Sequence, residues 1–229
     1  MTHPPTGARA IDRVVVVIPA HNEEELLPSC LAAVRVAAGG VAVPVHLVVV
    51  LDACTDASAD ALGGDVVPVV VDDRNVGAAR AAGFAALRAT ARTWYATTDA
   101  DTVVTPTWLS DQLLRARAGA DVVLGTVRVR DWHRHLAELR TRYTAAYTDA
   151  DGHRHVHGAN LGIGAPGYEL LGGFAPLPAH EDVDLVERAV AAGLVVDWTA
   201  DVVVHTSART DGRAPAGFAA HLRELSGAL

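Results

Sequence analysis

Two aspartates, Asp99 and Asp101, follow the apolar stretch Trp94-Tyr95-Ala96-Thr97-Thr98. In an extended chain, residues i and i+2 project to the same side, roughly 7 Å apart at their Cα atoms. The aromatic and Thr content of the stretch predicts a buried strand. The C-terminal end of a parallel strand is where open α/β sheets bind ligands. Two carboxylates there suit a hard divalent cation bridging to phosphate oxygens. The same spacing recurs at Asp149/Asp151 and Asp182/Asp184, so position must single out the working pair.

Three further polar clusters follow predicted strands, at residues 19–25, 52–56 and 72–77. In a doubly wound sheet all of these clusters fall on one edge. One such cluster alone reads as a helix cap or a solvated turn; four together make an acidic crevice able to hold a metal-nucleotide. A G-x-G-x-x-G after the first strand, a Walker A loop and a G-x-S-x-G elbow are all absent. Their absence argues against a dinucleotide site, a P-loop and a serine hydrolase, and leaves metal-assisted displacement at a diphosphate.

The elements that must position these residues are legible in the hydrophobic pattern. Strands are predicted over 14–18, ended by Pro19, and over 45–51, 66–71, 94–98 and 122–124. Between them lie a helix entered through the acidic residues 23–25 and ended by Gly39-Gly40, and further helices over 58–62, 78–90 and 107–118. The alternation predicts an α/β fold, a mostly parallel central sheet flanked by helices. Beyond Gly125 the rhythm changes. Residues 128–151 are rich in Arg, His and Tyr and contain a predicted helix; further helices are expected over 166–171, 181–192 and 216–225, and strands over 195–198 and 202–204.

The 229 residues suffice for one sizeable domain, expected to run 1–229 with a loose tail over 1–12. Its halves are 14–125 and 126–207, with a linker and helix over 208–229. A net charge of -8 argues against sequence-independent nucleic-acid binding, which needs basic surface. No lysine occurs, which excludes P-loop and Schiff-base lysine chemistry. Two cysteines, Cys30 and Cys54, make neither a disulfide framework nor a zinc site. With no leader pattern and only strand-length apolar runs, a reduced cytoplasmic protein without a transmembrane segment is expected.

Taken in order, the motifs resemble those of family 2 glycosyltransferases with the GT-A fold. Val14-Val-Val-Val-Ile-Pro-Ala-His-Asn-Glu-Glu-Glu25 is similar to the family's opening V-I-P-x-x-N-E-E. Leu51-Asp52-Ala-Cys54-Thr-Asp56 is similar to D-D-x-S-x-D, with Leu51 in place of the first Asp and Cys54 in place of Ser. Asn75-Val-Gly77-Ala-Ala-Arg80 resembles a shortened N-x-G-x-x-x-A-R. Asp99-Ala-Asp101 matches D-x-D. Gly158-Ala-Asn160 with Gly172-Gly173-Phe174 resembles G-x-N…G-G-F, and Glu181-Asp182 the E-D motif. His205 resembles a late histidine used as a metal ligand. The likeness covers residues 14–207.

The resemblance implies a nucleotide-sugar donor, an acceptor hydroxyl and a divalent metal. Pro19, His21 and Glu23 would line the nucleoside, and Asp52 would accept from the nucleobase or cap its helix. Arg80 would approach the diphosphate or brace the acidic loops, and Asp99 would contact ribose or sugar hydroxyls. Asp101 and His205 would ligate Mn²⁺ or Mg²⁺, the imidazole slightly favouring Mn²⁺. Asp182 is the candidate general base of an inverting transfer, with Glu181, Gly158, Asn160 and Trp132 on the acceptor side. The arginines of 128–142 could meet an anionic acceptor or a membrane surface, and His153, His155 and His157 a metal, or all could be solvated. Alternative readings are a non-catalytic GT-A-like binding domain and, lacking its Gly-rich loop and lysine, a sugar-1-phosphate nucleotidyltransferase.

Overall fold

Branched side chains pack well on a pleated surface buried on both faces, and the valine-rich runs form the strands accordingly. The computed structural model describes residues 10–129, 132 and 137–207. β1 (Arg13–Ala20), β2 (Val45–Asp52), β3 (Val66–Val71) and β4 (Thr93–Thr97) lie in the order β3-β2-β1-β4, all parallel. β5 (Thr102–Val104), β6 (Val122–Val129), β7 (Leu161–Gly164) and β8 (Val196–Thr206) extend this to an eight-stranded sheet, β3-β2-β1-β4-β7-β6-β8-β5. β7 runs antiparallel to β4 and β6, and β5 antiparallel to β8, so the sheet is mostly parallel with two reversed strands.

The helices are α1 (Leu27–Gly39), α2 (Val76–Ala85), α3 (Trp108–Arg117), α4 (Ala137–Ala146), α5 (Ala165–Leu170) and α6 (Glu181–Ala191). Successive strand residues point to opposite faces. Val14, Val16 and Ile18 of β1 join Leu27, Leu31, Trp108 and Leu109 of α1 and α3 in one apolar cluster. Val15 and Val17 join Ala79, Phe84, Leu185 and Val186 of α2 and α6 in the other. The three layers hold the C-terminal ends of β1 to β4 along one rim.

Several boundaries differ from the sequence expectation for local reasons. β1 continues through Pro19, because its pairing with β4 ends at Val17 and Pro19 faces a paired strand on the β2 side alone. Glu23, Glu24 and Glu25 precede α1 instead of filling its first turn; the amides of Leu26 and Leu27 both bond to the Glu23 carbonyl. The expected helix over 58–62 is a 3-10 turn, Ala57–Ala61. α2 ends at Ala85, and Thr90 then turns onto the Thr93 hydroxyl at 2.9 Å to enter β4. The two short strands expected late in the chain are one strand, β8, whose register against β6 shifts between Leu124 and Thr126. A Cβ on Gly125 would lie 2.2 Å from the Val202 carbonyl oxygen, so the crossing there requires glycine. β5 has no counterpart in the sequence reading. Residues 1–9, 130–131, 133–136 and the expected helix 216–225 lie outside the described residues.

α2 crosses the sheet at Gly83, where a Cβ would come within 2.4 Å of Val17 Cγ1 and 2.9 Å of Val50 Cγ2. Gly83→Ala is expected to destabilise by about 1–3 kcal/mol in spite of alanine's better helix propensity. The check is urea denaturation, where the midpoint falls at an unchanged slope.

Candidate active site

The loops after β1, β2 and β3 are tied to one another, and Asp52 is the knot. Its Oδ1 accepts from the amides of Asp73 and Arg74 at 2.8 Å each, and its Oδ2 from the Asn75 amide at 2.9 Å. The Asp52 carbonyl bonds His21 Nδ1 at 2.6 Å. A carbonyl only accepts, so Nδ1 carries the proton and a neutral His21 ring keeps Nε2 as an acceptor. The carboxylate expected to read a nucleobase is therefore 5% exposed and engaged in holding the β3–α2 loop. Asn22 Oδ1 accepts from the Thr55 amide at 2.7 Å, and Glu24 Oε2 from the Ala57 amide at 2.9 Å. The buried Glu23 receives its support from Ser58, whose Oγ accepts from the Glu23 amide at 2.8 Å. A pocket of about 280 Å³ opens beside these loops, lined by Asn22, Glu23, Glu24, Glu25, Leu26, Thr55 and Asp56. Pro19 lies at the end of β1, half-buried and paired with Val50.

The second group gathers on Arg80, in the first turns of α2. Its side chain is 3% exposed. Nη2 donates to Asp99 Oδ1 at 2.6 Å, Nη1 pairs with Glu181 Oε1, and the guanidinium carbon lies 5.7 Å from the Phe174 ring centroid. Burial works against the Arg80 charge, but Asp99, Glu181 and Asp182 outweigh it and hold the guanidinium protonated more firmly than usual. Burial pushes the Glu181 carboxyl up, against the pull of Arg80. The neighbouring Asp182 and Asp99 carboxylates add like-charge repulsion in the same direction as burial. Asp182 opens α6; its Oδ2 accepts from the Gly158 amide at 2.6 Å and its Oδ1 from the Val183 amide at 2.8 Å.

Asp99 and Asp101 do not share one face of an extended strand. The chain turns there, with the Thr102 amide bonded to the Asp99 carbonyl at 3.1 Å. Asp99 joins Arg80, whereas Asp101 accepts from the Thr102 and Ser207 hydroxyls at 3.3 Å each. His205 pairs in register with Val103, two residues past Asp101 on the neighbouring strand. Among the described residues no group of three or more His, Cys, Asp or Glu converges to hold a metal ion. Asp101 and His205 nonetheless sit toward the same end of the β5–β8 pair, a carboxylate and an imidazole of the types that ligate divalent metals.

On the expected acceptor side, Asn160 is a correction. It is 1% exposed; its Oδ1 accepts from Trp108 Nε1 at 2.9 Å and its Nδ2 donates to the Thr126 and Val202 carbonyls at 2.9 Å each. Its amide is spent bracing the sheet, because three buried groups there need partners. Glu181 is likewise engaged with Arg80, and Gly158 with Asp182. Trp132 is half-buried, its ring 5.5 Å from that of Tyr143. The three histidines form a loop, not a strand, and stack: His155 lies 4.1 Å from Tyr147, and His157 and His153 flank it at 5.9 and 5.6 Å. Burial and His153 hold His155 below the usual imidazole range, and its Nε2 accepts from the Thr148 amide at 3.0 Å. In the repeated D-x-D spacings, three of the four carboxylates brace the fold: Asp149 pairs with Arg128, Asp184 with Arg188, and Asp151 accepts from the Ala200 amide. Of the other arginines expected at an anionic acceptor or membrane, Arg140 is exposed and Arg142 half-buried, while Arg130 and Arg134 lie outside the described residues. Among the described residues no helix is long and apolar enough to cross a membrane.

Sequence reading passed over the work done by Ser58, Ser207 and Asn75. Asn75 caps α2 by accepting from the Ala78 amide at 2.9 Å and ties the β3 loop to the Leu177 carbonyl at 2.8 Å. An Asn directly before an apolar helical run was the available signal.

The profile of "Glycosyl transferase family 2" matches residues 15–170. Solved structures share the fold at low identity. TarS 1-349 of S. aureus in complex with UDP-GlcNAc is 14% identical with a TM-score of 0.65, over 90% of this chain and 61% of that one. The mannosyltransferase PcManGT from Pyrobaculum calidifontis, in complex with GDP-Man and Mn²⁺, is 21% identical with a TM-score of 0.66, over 87% of this chain and 58% of that one. The chain thus spans about three fifths of these structures. No curated protein sequence matches it.

Asp52→Asn puts an amide NH₂ among three backbone donors. The expected cost is on the order of 3 kcal/mol, from lost charge-assisted hydrogen bonds. Chemical denaturation reads this, and hydrogen exchange at residues 73–75 accelerates with it.

Proposed function

The chain belongs to glycosyl transferase family 2, and we propose that it moves a sugar from a nucleoside-diphosphate donor to an acceptor hydroxyl, inverting the anomeric centre. The observation that carries this reading is the meeting of Asp99, from the end of β4, with Glu181 and Asp182, from the start of α6, around one buried guanidinium. A proposed donor-side carboxylate and a candidate base are then gathered around the same guanidinium.

In the proposed reaction the acceptor oxygen attacks the anomeric carbon as the bond from that carbon to the diphosphate oxygen breaks. The electron pair leaves with the nucleoside diphosphate, and the acceptor's proton passes to the Asp182 carboxylate. Asp182 is half-buried and oriented by two backbone amides, which suits a base that must be placed before the acceptor arrives. Asp101 and His205 would hold a divalent cation, which when bound neutralises charge growing on the departing diphosphate. The loops tied by Asp52 would line the nucleoside, with Pro19, His21 and Glu23 on its rim.

UDP-GlcNAc and GDP-Man, the ligands of the two neighbours, are the first donors to try. The expected outcome is release of UDP or GDP that depends on added Mn²⁺ or Mg²⁺ and stops with EDTA. Affinity without nucleotide release under any metal or acceptor tried would mark a binding domain instead. Asp182→Asn is expected to lower kcat by about 10²–10⁴-fold, the usual worth of general base catalysis, with donor affinity retained. Transfer near the wild-type rate in that variant removes Asp182 as the base.

A further inference from the structure

We propose that Arg80 is a positioning residue, a clasp that locks the donor carboxylate Asp99 and the base-bearing start of α6 into one unit; this rests on the glycosyl-transfer reading above. Both terminal nitrogens of Arg80 are committed, one to Asp99 at 2.6 Å and the other to Glu181. A side chain 3% exposed with both ends engaged is poorly placed to reach out to a diphosphate, the first of the two roles its sequence context implies, and suits the second, a brace.

The clasp reaches Asp182 by a second route. A Cβ on Gly158 would lie 2.5 Å from Arg80 Cζ, so the guanidinium packs on bare backbone there. The amide of that same glycine donates to Asp182 Oδ2 at 2.6 Å. Arg80 therefore fixes Asp99 directly, Glu181 directly, and the peptide that orients Asp182. A lysine in its place carries the charge but has one head, which cannot bridge two carboxylates in fixed directions. Glu181, expected among the acceptor contacts, is by this account the anchor of α6 on the clasp. The half-exposed Asp99 is the one arm of the clasp that opens toward a donor.

The test compares Glu181→Gln, Arg80→Lys and the double variant in the full chain. Glu181→Gln is the milder change and keeps the test available if Arg80→Lys folds poorly. Urea denaturation should show non-additivity, the double variant losing at least tenfold less in its folding equilibrium constant than the two singles together. With the donor the wild type uses best, Glu181→Gln should lower kcat about 10²-fold, the effect of a base displaced by about 1 Å, and leave donor KM within threefold. Arg80→Lys should lower kcat and also raise donor KM, because Asp99 is released too. Additive denaturation overturns the clasp. A coupled cycle with kcat in Glu181→Gln within threefold of wild type overturns the positioning role and leaves a plain ion pair. If the wild type turns over no nucleotide-sugar, the glycosyl-transfer reading fails instead, and calorimetric titration with UDP and GDP decides the clasp: weaker binding in Arg80→Lys alone, with a coupled cycle, supports it, and equal binding overturns it.

Discussion

A guanidinium taken out of water must be met by carboxylates, and around Arg80 this constraint organises the molecule. Moving an ion from water into a protein interior costs several kcal/mol even after relaxation, so a buried Arg without partners is not tolerated. Arg80's partners arrive from 19 and 101 residues further along the chain. The end of β4 and the start of α6 must both be in place before the charge is compensated. The close approach also dictates what surrounds it. Besides Gly158, Gly77 is required, since a Cβ there would lie 2.3 Å from the Ala175 carbonyl oxygen and 3.0 Å from Glu181 Cβ. One electrostatic requirement thus fixes two glycines, two helix starts and a strand end.

The rim loops carry a second kind of constraint. Among the described residues, four that are not glycine adopt left-handed backbone: Asn22, Ala53, Arg74 and His180, at φ between 50 and 61°. Each lies in a rim loop, after β1, β2 and β3 or just before α6. Such conformations cost about 1–2 kcal/mol per residue and persist where surrounding bonds over-determine them. The bonds are present for three of them: the Asp52 carboxylate grips the Arg74 amide, the Ala53 amide donates to the Val71 carbonyl at 2.8 Å, and Asn22 Oδ1 holds Thr55. The crevice is therefore shaped before any ligand arrives, which reduces the ordering left for binding to accomplish.

Much of this was legible in the residues. Strand β3 was placed to the residue, and the four polar clusters fell on one rim, because β-branched runs bounded by polar loops have few other solutions in an α/β chain. What escaped were features set by tertiary context. β5 is three residues long and owes its pairing to β8, so no local periodicity announces it. The turn at Asp99–Thr102 separates two carboxylates that an extended chain would align. Asn160 carries a motif position yet serves Trp108 and two carbonyls, since a buried polar network outranks any surface role for that amide. Arg80 sat in a recognisable motif, but its burial depends on Glu181, 101 residues away, and on the absence of a side chain at Gly158.

The two departures from the family pattern, Leu51 in β2 and Cys54 in the loop beyond it, are accommodated in different ways. Leu47, Val49 and Leu51 project to the α1 side of β2, into a cluster with Ile18, Leu27 and Cys30, and Leu51 is 6% exposed there. A carboxylate at position 51 would enter an apolar layer, where an unpaired charge is costly. Position 52 instead terminates the strand at the rim, and its carboxylate is the one that holds three amides. Cys54 keeps the bonding pattern of a hydroxyl with weaker partners, donating to the Ala20 carbonyl at 3.3 Å and accepting from the Asn22 amide at 3.5 Å. The sulfur's longer reach still joins the β1 and β2 loops. At this strand end Asp52 is the carboxylate that serves the rim, and the residue before it serves the core.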